Sequence, residues 1–124
     1  METNPIKILI ADDEPDIIEI ISFHLNKAGY EVESAKDGSE AIEKAKQFNP
    51  DCIILDIMMP MVDGFATLEQ IRKDDNLQHT KVMFLSAKNK ESDIEKGLAL
   101  GADAYMTKPF SIKKVVEKVE ELLG

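Results

Sequence analysis

A chain of 124 residues fits one domain, spanning residues 1–124, and its 44% hydrophobic content suffices for one buried core. With 24 Asp or Glu against 15 Lys or Arg the net charge is −9, and a surface this acidic repels phosphate backbones, which excludes nucleic acid as a direct partner. A lone Cys52 excludes an internal disulfide and a multi-cysteine metal site, and no apolar run approaches a membrane span.

Met1-Glu2-Thr3-Asn4-Pro5 has neither the basic start nor the apolar stretch of a signal peptide, so a cytoplasmic location is expected. Five short apolar runs then read as strands: Ile6 to Ala11, Glu31 to Ala35, Cys52 to Leu55, Val82 to Leu85 and Ala104 to Met106. The first and third are nearly continuous in Ile, Leu and Cys, as strands buried on both faces are. Helical patterns separate them. Ile17, Ile21, Leu25 and Ala28 follow Pro15 and stop at Gly29; Ala41, Ile42, Ala45 and Phe48 stop before Pro50. Phe65, Leu68 and Ile71 mark a third helix, and Ile94 with Leu98, closed by Gly101, a fourth. Ser111 caps the last, whose stripe is Ile112, Val115, Val116, Val119, Leu122 and Leu123. Five strand–helix alternations predict right-handed crossovers and a parallel α/β sheet with helices on both faces.

Open α/β sheets bind ligands beyond the carboxyl ends of their strands. There the chain places Asp12, Asp13 and Glu14 after the first strand and Asp56, Met58, Met59 and Pro60 after the third. Ser86-Ala87 follows the fourth and Thr107-Lys108-Pro109 the fifth. Converging carboxylates cannot all remain ionised beside one lysine, so a divalent cation is required. With only oxygen ligands at hand the ion is hard, Mg²⁺ or Mn²⁺ in its place. A metal, a lysine and a hydroxyl around a free carboxylate suit the placing of a phosphoryl group on that carboxylate.

These residues resemble the receiver domain of two-component response regulators, of the chemotaxis-regulator type, over essentially the whole chain. The resemblance rests on Asp12-Asp13, on Asp56 within Leu55-Asp56-Ile57-Met58-Met59-Pro60, on Gly64, on Ser86-Ala87, and on Gly101-Ala102-Asp103-Ala104-Tyr105 leading to Lys108-Pro109-Phe110. It implies a doubly wound, flavodoxin-like (βα)5 three-layer sandwich with strand order 2-1-3-4-5. Asp56 is then the phosphoacceptor, taking its group from the phosphohistidine of a sensor histidine kinase or phosphotransfer protein. Asp12, Asp13, Asp56 and the main-chain carbonyl of Met58 would hold Mg²⁺, while Ser86 and Lys108 would meet the phosphoryl oxygens. Tyr105 is the implied switch aromatic and follows Ser86, Lys108-Pro109 is implied to be cis, and the surface of helix four, strand five and helix five carries the output. Met58 and Lys88 flank the path of attacking water and orient it poorly, so a long-lived phosphorylated state is expected.

Taken singly, the residues have plainer readings. Asp12 to Glu14 suit a helix N-terminus, Ser86 a turn cap, Tyr105 a half-buried strand position, and Cys52 an inert core position. His24 and His79 read as solvated histidines rather than relay groups. An aspartyl phosphatase needs a carboxylate where Met58 stands, and a flavin module needs a phosphate-binding loop where Asp-Asp-Glu stands, so neither fits. A receiver reduced to a binding module would lack part of the set that is present here. The chain is thus expected to be a signalling switch rather than an enzyme acting on free metabolites. Its effector is either a separate protein or a linked output domain outside this chain. The domain is expected as a monomer or a phosphorylation-dependent dimer, with Asp103 and Lys118 near the face that transcriptional relatives pair.

Overall fold

The computed structural model describes residues 5–124; Met1–Asn4, which bear most of the leader reading, lie outside the described residues. Strands β1 (Lys7–Ala11), β2 (Glu31–Ala35), β3 (Cys52–Leu55), β4 (Lys81–Ser86) and β5 (Ala104–Thr107) alternate with five helices. These are α1 (Pro15–Lys27), α2 (Gly38–Phe48), α3 (Gly64–Lys73), α4 (Glu91–Ala99) and α5 (Ile112–Leu123). Every strand pair is parallel and the order is β2-β1-β3-β4-β5, the doubly wound arrangement expected from the sequence.

Period-two alternation divides the strand side chains between two cores. Leu9, Ile53, Leu55, Val82 and Phe84 pack with Ala41 and Ala45 of α2 and Leu68 and Ile71 of α3. On the opposite face Ile8, Ile10, Ile54, Met83 and Leu85 meet Ile21 and Leu25 of α1 and Val115 and Val119 of α5. Helix starts are fixed locally: Asp37, Asp63 and Ser111 accept N–H bonds from Glu40, Ala66 and Lys114 respectively. No helix of the described residues is long and apolar enough to cross a membrane.

Three details differ from the sequence reading. The strand bounds shift: β1 begins at Lys7 rather than Ile6, and β4 gains Lys81 and Ser86 and β5 gains Thr107 because the ends of their ladders remain paired. A single 3-10 turn, Asp75–Leu77, follows α3 and buries Leu77. The fourth helix does not pack through an Ile94–Leu98 stripe: Leu98 is 47% exposed, and the buried position is Gly97. A side-chain carbon at Gly97 would lie only 3.0 Å from the Phe84 ring and 3.1 Å from the Tyr105 ring, so α4 approaches the sheet through backbone.

Asp103 proves to be engaged within the chain. Its carboxylate accepts from the Val82 N–H and from Arg72 Nη2, both at 2.9 Å, while Arg72 also donates to the carbonyls of Thr80 and Gly101. The clasp ties α3 to the entrances of β4 and β5 through one carboxylate oxygen of Asp103.

Cys52 lies in β3 with its thiol sealed. Burial, with smaller contributions from Asp103 and Asp51, pushes that thiol from 9.0 up to about 12. The folded protein is therefore expected to resist iodoacetamide at a pH below 9.0 and to alkylate once denatured. Because the folded state holds the thiol proton more tightly, its contribution to stability is full below pH 9.0 and is lost as pH rises towards about 12. Urea midpoints across that interval, compared with Cys52→Ala, measure it.

Candidate functional site

The register brings the strand ends level. Ala11 pairs with Leu55, Leu55 with Phe84, and Ser86 with Thr107, so the next residue of each strand emerges on one edge. Main-chain bonds extend that order past the strands: Asp12 N–H donates to Ala35, Asp56 N–H to Ala11, and Lys108 N–H to Ser86. Gly64 allows the loop after β3 to return closely, since a side-chain carbon there would stand 2.3 Å from the Asp56 carbonyl.

The side chains converge. Asp12 is 2% exposed, Asp56 4% and Ser86 0%. Lys108 Nζ donates to Asp12 Oδ2 at 2.9 Å and to Asp56 Oδ2 at 3.2 Å, although 96 and 52 positions separate them along the chain. Oxygens from Asp12, Asp13, Glu14 and Asp56 all lie within 4.8 Å of one another. The Met58 N–H donates to Asp56 Oδ1 at 3.3 Å, which puts the start of the Met58-Met59-Pro60 turn against the same carboxylate.

One ammonium faces four carboxylates. Burial raises the Asp12 carboxyl above its ordinary range; the Glu14 N–H and Lys108 oppose that shift, and the neighbouring Asp56 adds to it. Burial works against the Lys108 ammonium, but hydrogen bonds and charge from Asp12 and Asp56 outweigh it and hold the group well above the usual lysine range. Lys108 therefore stays charged, and negative charge remains in excess. Hard oxygen donors this close together fit a small divalent cation such as Mg²⁺ or Mn²⁺.

Ser86 sits at the edge of the cluster, its hydroxyl accepting from the Lys88 N–H at 3.3 Å, the turn-capping role open to it from sequence. Tyr105 is half-buried. Its ring packs 5.7 Å from that of Phe84, and its hydroxyl donates to the Lys88 carbonyl at 2.6 Å. Ser86 and Tyr105 thus hold the two ends of one residue, Lys88. The Lys108–Pro109 bond is cis, as the family resemblance implies. His24 is elsewhere, its Nδ1 3.0 Å from the Ile20 carbonyl in α1.

The member of the set without an assigned role in the sequence reading is Glu14, whose carboxylate lies 3.3 Å from Lys108 Nζ. Its neighbours Asp12 and Asp13 were the only hint, since the partner stands 94 positions away.

A doubly wound sheet that gathers buried carboxylates, a charged lysine and a hydroxyl at its carboxyl edge is the arrangement expected of a receiver-type α/β domain. The profile of the response regulator receiver domain matches residues 8–120, and the chain belongs to that family. It is 43% identical over 117 residues to the alkaline phosphatase synthesis transcriptional regulatory protein PhoP of Bacillus subtilis, covering 94% of this chain and 48% of that protein. It is 42% identical over 120 residues to the transcriptional regulatory protein TrcR of Mycobacterium tuberculosis, covering 97% and 46%. The chain spans about half the length of these curated relatives. Among solved structures, the chemotaxis protein CheY4 of Vibrio cholerae superposes with a TM-score of 0.90 at 32% identity, covering 96% of this chain and 99% of that one. A chain of the CheX–CheY–BeF3–Mg complex from Borrelia burgdorferi gives a TM-score of 0.89 at 31% identity, covering 97% and 90%. Receiver domains of this family act as signalling switches and bind Mg²⁺ through an acidic pocket.

Proposed function

We propose that Asp56 accepts a phosphoryl group from the phosphohistidine of a sensor histidine kinase or phosphotransfer protein, in a Mg²⁺-dependent reaction. The observation that carries this reading is the Asp56 carboxylate, nearly buried yet placed within 3.2 Å of Lys108 and among the oxygens of Asp12, Asp13 and Glu14. Asp12, Asp13, Asp56 and the Met58 carbonyl would hold the ion, whose charge offsets that of the cluster and of the incoming group. An Asp56 carboxylate oxygen attacks phosphorus, the P–N bond to the donor imidazole breaks with its electron pair returning to that ring nitrogen, and the imidazole, already carrying a proton on its other nitrogen, leaves neutral. Lys108 stays protonated and orients the phosphoryl oxygens.

The new oxygens compete for Lys108 and for the Ser86 hydroxyl. Drawing Ser86 towards them loosens its bond with the Lys88 N–H, and Tyr105 holds the carbonyl of that same residue. The surface of α4, β5 and α5 then passes the change to an effector. Reversing a 1:99 bias takes about 5.5 kcal/mol, and two or three charge-assisted hydrogen bonds supply that order. The longer relatives support an effector that is linked in the same polypeptide or recruited as a separate protein. The chain works as a switch that turns over only its own phosphoryl group, and Met58 and Lys88 leave that group long-lived.

Incubation with Mg²⁺ and a small acyl phosphate, followed by intact mass, tests the reading. One added phosphoryl group is expected, and none when a chelator removes the metal. No addition with the metal present would leave only a binding module.

A further inference from the structure

An ammonium has three N–H donors, and every donor of Lys108 has a carboxylate within reach: Asp12 at 2.9 Å, Asp56 at 3.2 Å and Glu14 at 3.3 Å. The three acceptors are not equivalent. The side chains of Asp12 and Asp56 are 3% and 4% exposed in the pocket wall, whereas that of Glu14 is 60% exposed. Glu14 occupies the cap position of α1 but makes no side-chain capping bond, and Pro15 follows it with no N–H to be capped. Its main-chain N–H donates to Asp12 Oδ1 at 2.9 Å, which steadies the buried carboxylate while leaving the Glu14 carboxylate free to reach Lys108.

We propose that Glu14 is a positioning residue that occupies the third N–H of Lys108 until a phosphoryl oxygen displaces it; this rests on the reading of Asp56 as the phosphoacceptor. Lys108 has no fourth N–H, so donation to a phosphoryl oxygen requires one carboxylate to leave. Before the transfer, while Asp56 is still an anion, releasing Asp12 or Asp56 would strand a buried charge, whereas Glu14 swings into water at little cost. Glu14 also adds a negative charge at the mouth through which an anionic donor approaches. It therefore restrains phosphorylation of the resting protein by small donors.

Glu14→Gln is expected to raise the rate of Asp56 phosphorylation by an acyl phosphate roughly three- to fivefold at saturating Mg²⁺, the range of a partly exposed ion pair. It is also expected to shift the ¹⁵N signal of the Lys108 ammonium in the resting, metal-free protein, a readout that a purely structural role for Glu14 would leave in place. Glu19→Gln is the control. It removes the same charge from an exposed position of α1 that makes no ion pair among the described residues, and both readouts are expected to match the parent. An unmoved Lys108 signal in Glu14→Gln, or phosphorylation of all three proteins at one common rate, overturns the assignment to Glu14 alone. Failure of all three to take up a phosphoryl group overturns the phosphoacceptor reading, and this inference with it.

Discussion

Asp56→Asn is expected to take up no phosphoryl group from an acyl phosphate and Mg²⁺ under conditions that modify the parent chain completely, as read by intact mass. The amide lacks the anionic oxygen that attacks phosphorus, and no neighbouring carboxylate is placed to replace it. Asp12 is committed to Lys108 and to the Glu14 N–H, and Asp13 is exposed and outside the reach of Lys108. The fold is expected to survive. An Asn oxygen still accepts from the Met58 N–H, and loss of the charge relieves the repulsion that Asp56 imposes on Asp12; against this, Lys108 loses one of its three acceptors. These effects oppose, so the change in stability is within about 1 kcal/mol. The Asp12 carboxyl is expected to stay raised, because burial rather than Asp56 is its main cause, and a carbon-13 titration of the variant checks this. The sign follows from the direction: a carboxyl raised in the folded state favours folding at acid pH, in full below its ordinary value of 3.8, and that contribution is lost as pH rises from there through the raised folded value. Phosphorylation of Asp13 in the variant would move the acceptor role from the residue to the cluster.

The parallel sheet was legible because local signals agreed with the tertiary answer, while its strand order came from the family resemblance. The nearly unbroken apolar runs read at Ile6 to Ala11 and Cys52 to Leu55 suit strands covered on both sides, and Ile8–Ala11 and Cys52–Leu55 are buried there. Asp12, Asp56, Ser86 and Lys108 were legible as a set, since parallel strands have no choice but to deliver their ends to one edge. What escaped notice depends on contacts without a local periodic trace. Glu14 and Lys108 meet across 94 positions, and Arg72 reaches Asp103 across 31. The short turn at Asp75–Leu77 had a faint signal in Asp74, whose side chain accepts from the Asn76 N–H, and in the isolated apolar Leu77. For α4 the periodic pair Ile94 and Leu98 misled. Gly97 wins the buried position because the large rings of Phe84 and Tyr105 leave no room for a side chain beneath the helix.

Phe84→Ala is expected to lower stability by about 3–5 kcal/mol, a large share of the roughly 5–15 kcal/mol that holds a domain together. Phe84 is fully buried in β4, two residues before Ser86, and its ring forms the floor on which three elements rest. The Phe65 ring of α3 meets it edge-on at 5.5 Å, the Tyr105 ring leans on it at 5.7 Å, and Gly97 of α4 rides over it. Removing the ring opens a cavity and also withdraws both aromatic contacts. Tyr105→Phe is the informative comparison, because it keeps the ring and deletes only the bond to the Lys88 carbonyl, costing about 1 kcal/mol. Urea unfolding separates the two, with a much lower midpoint for Phe84→Ala at an unchanged slope. Equal midpoints would mean that α4 and β5 are held mainly by the Lys88 hydrogen bond. A drop confined to Phe84→Ala instead places the mechanical link between the phosphoacceptor edge and the α4–β5 surface in packing, with the hydroxyl of Tyr105 left free to exchange its partner at low cost.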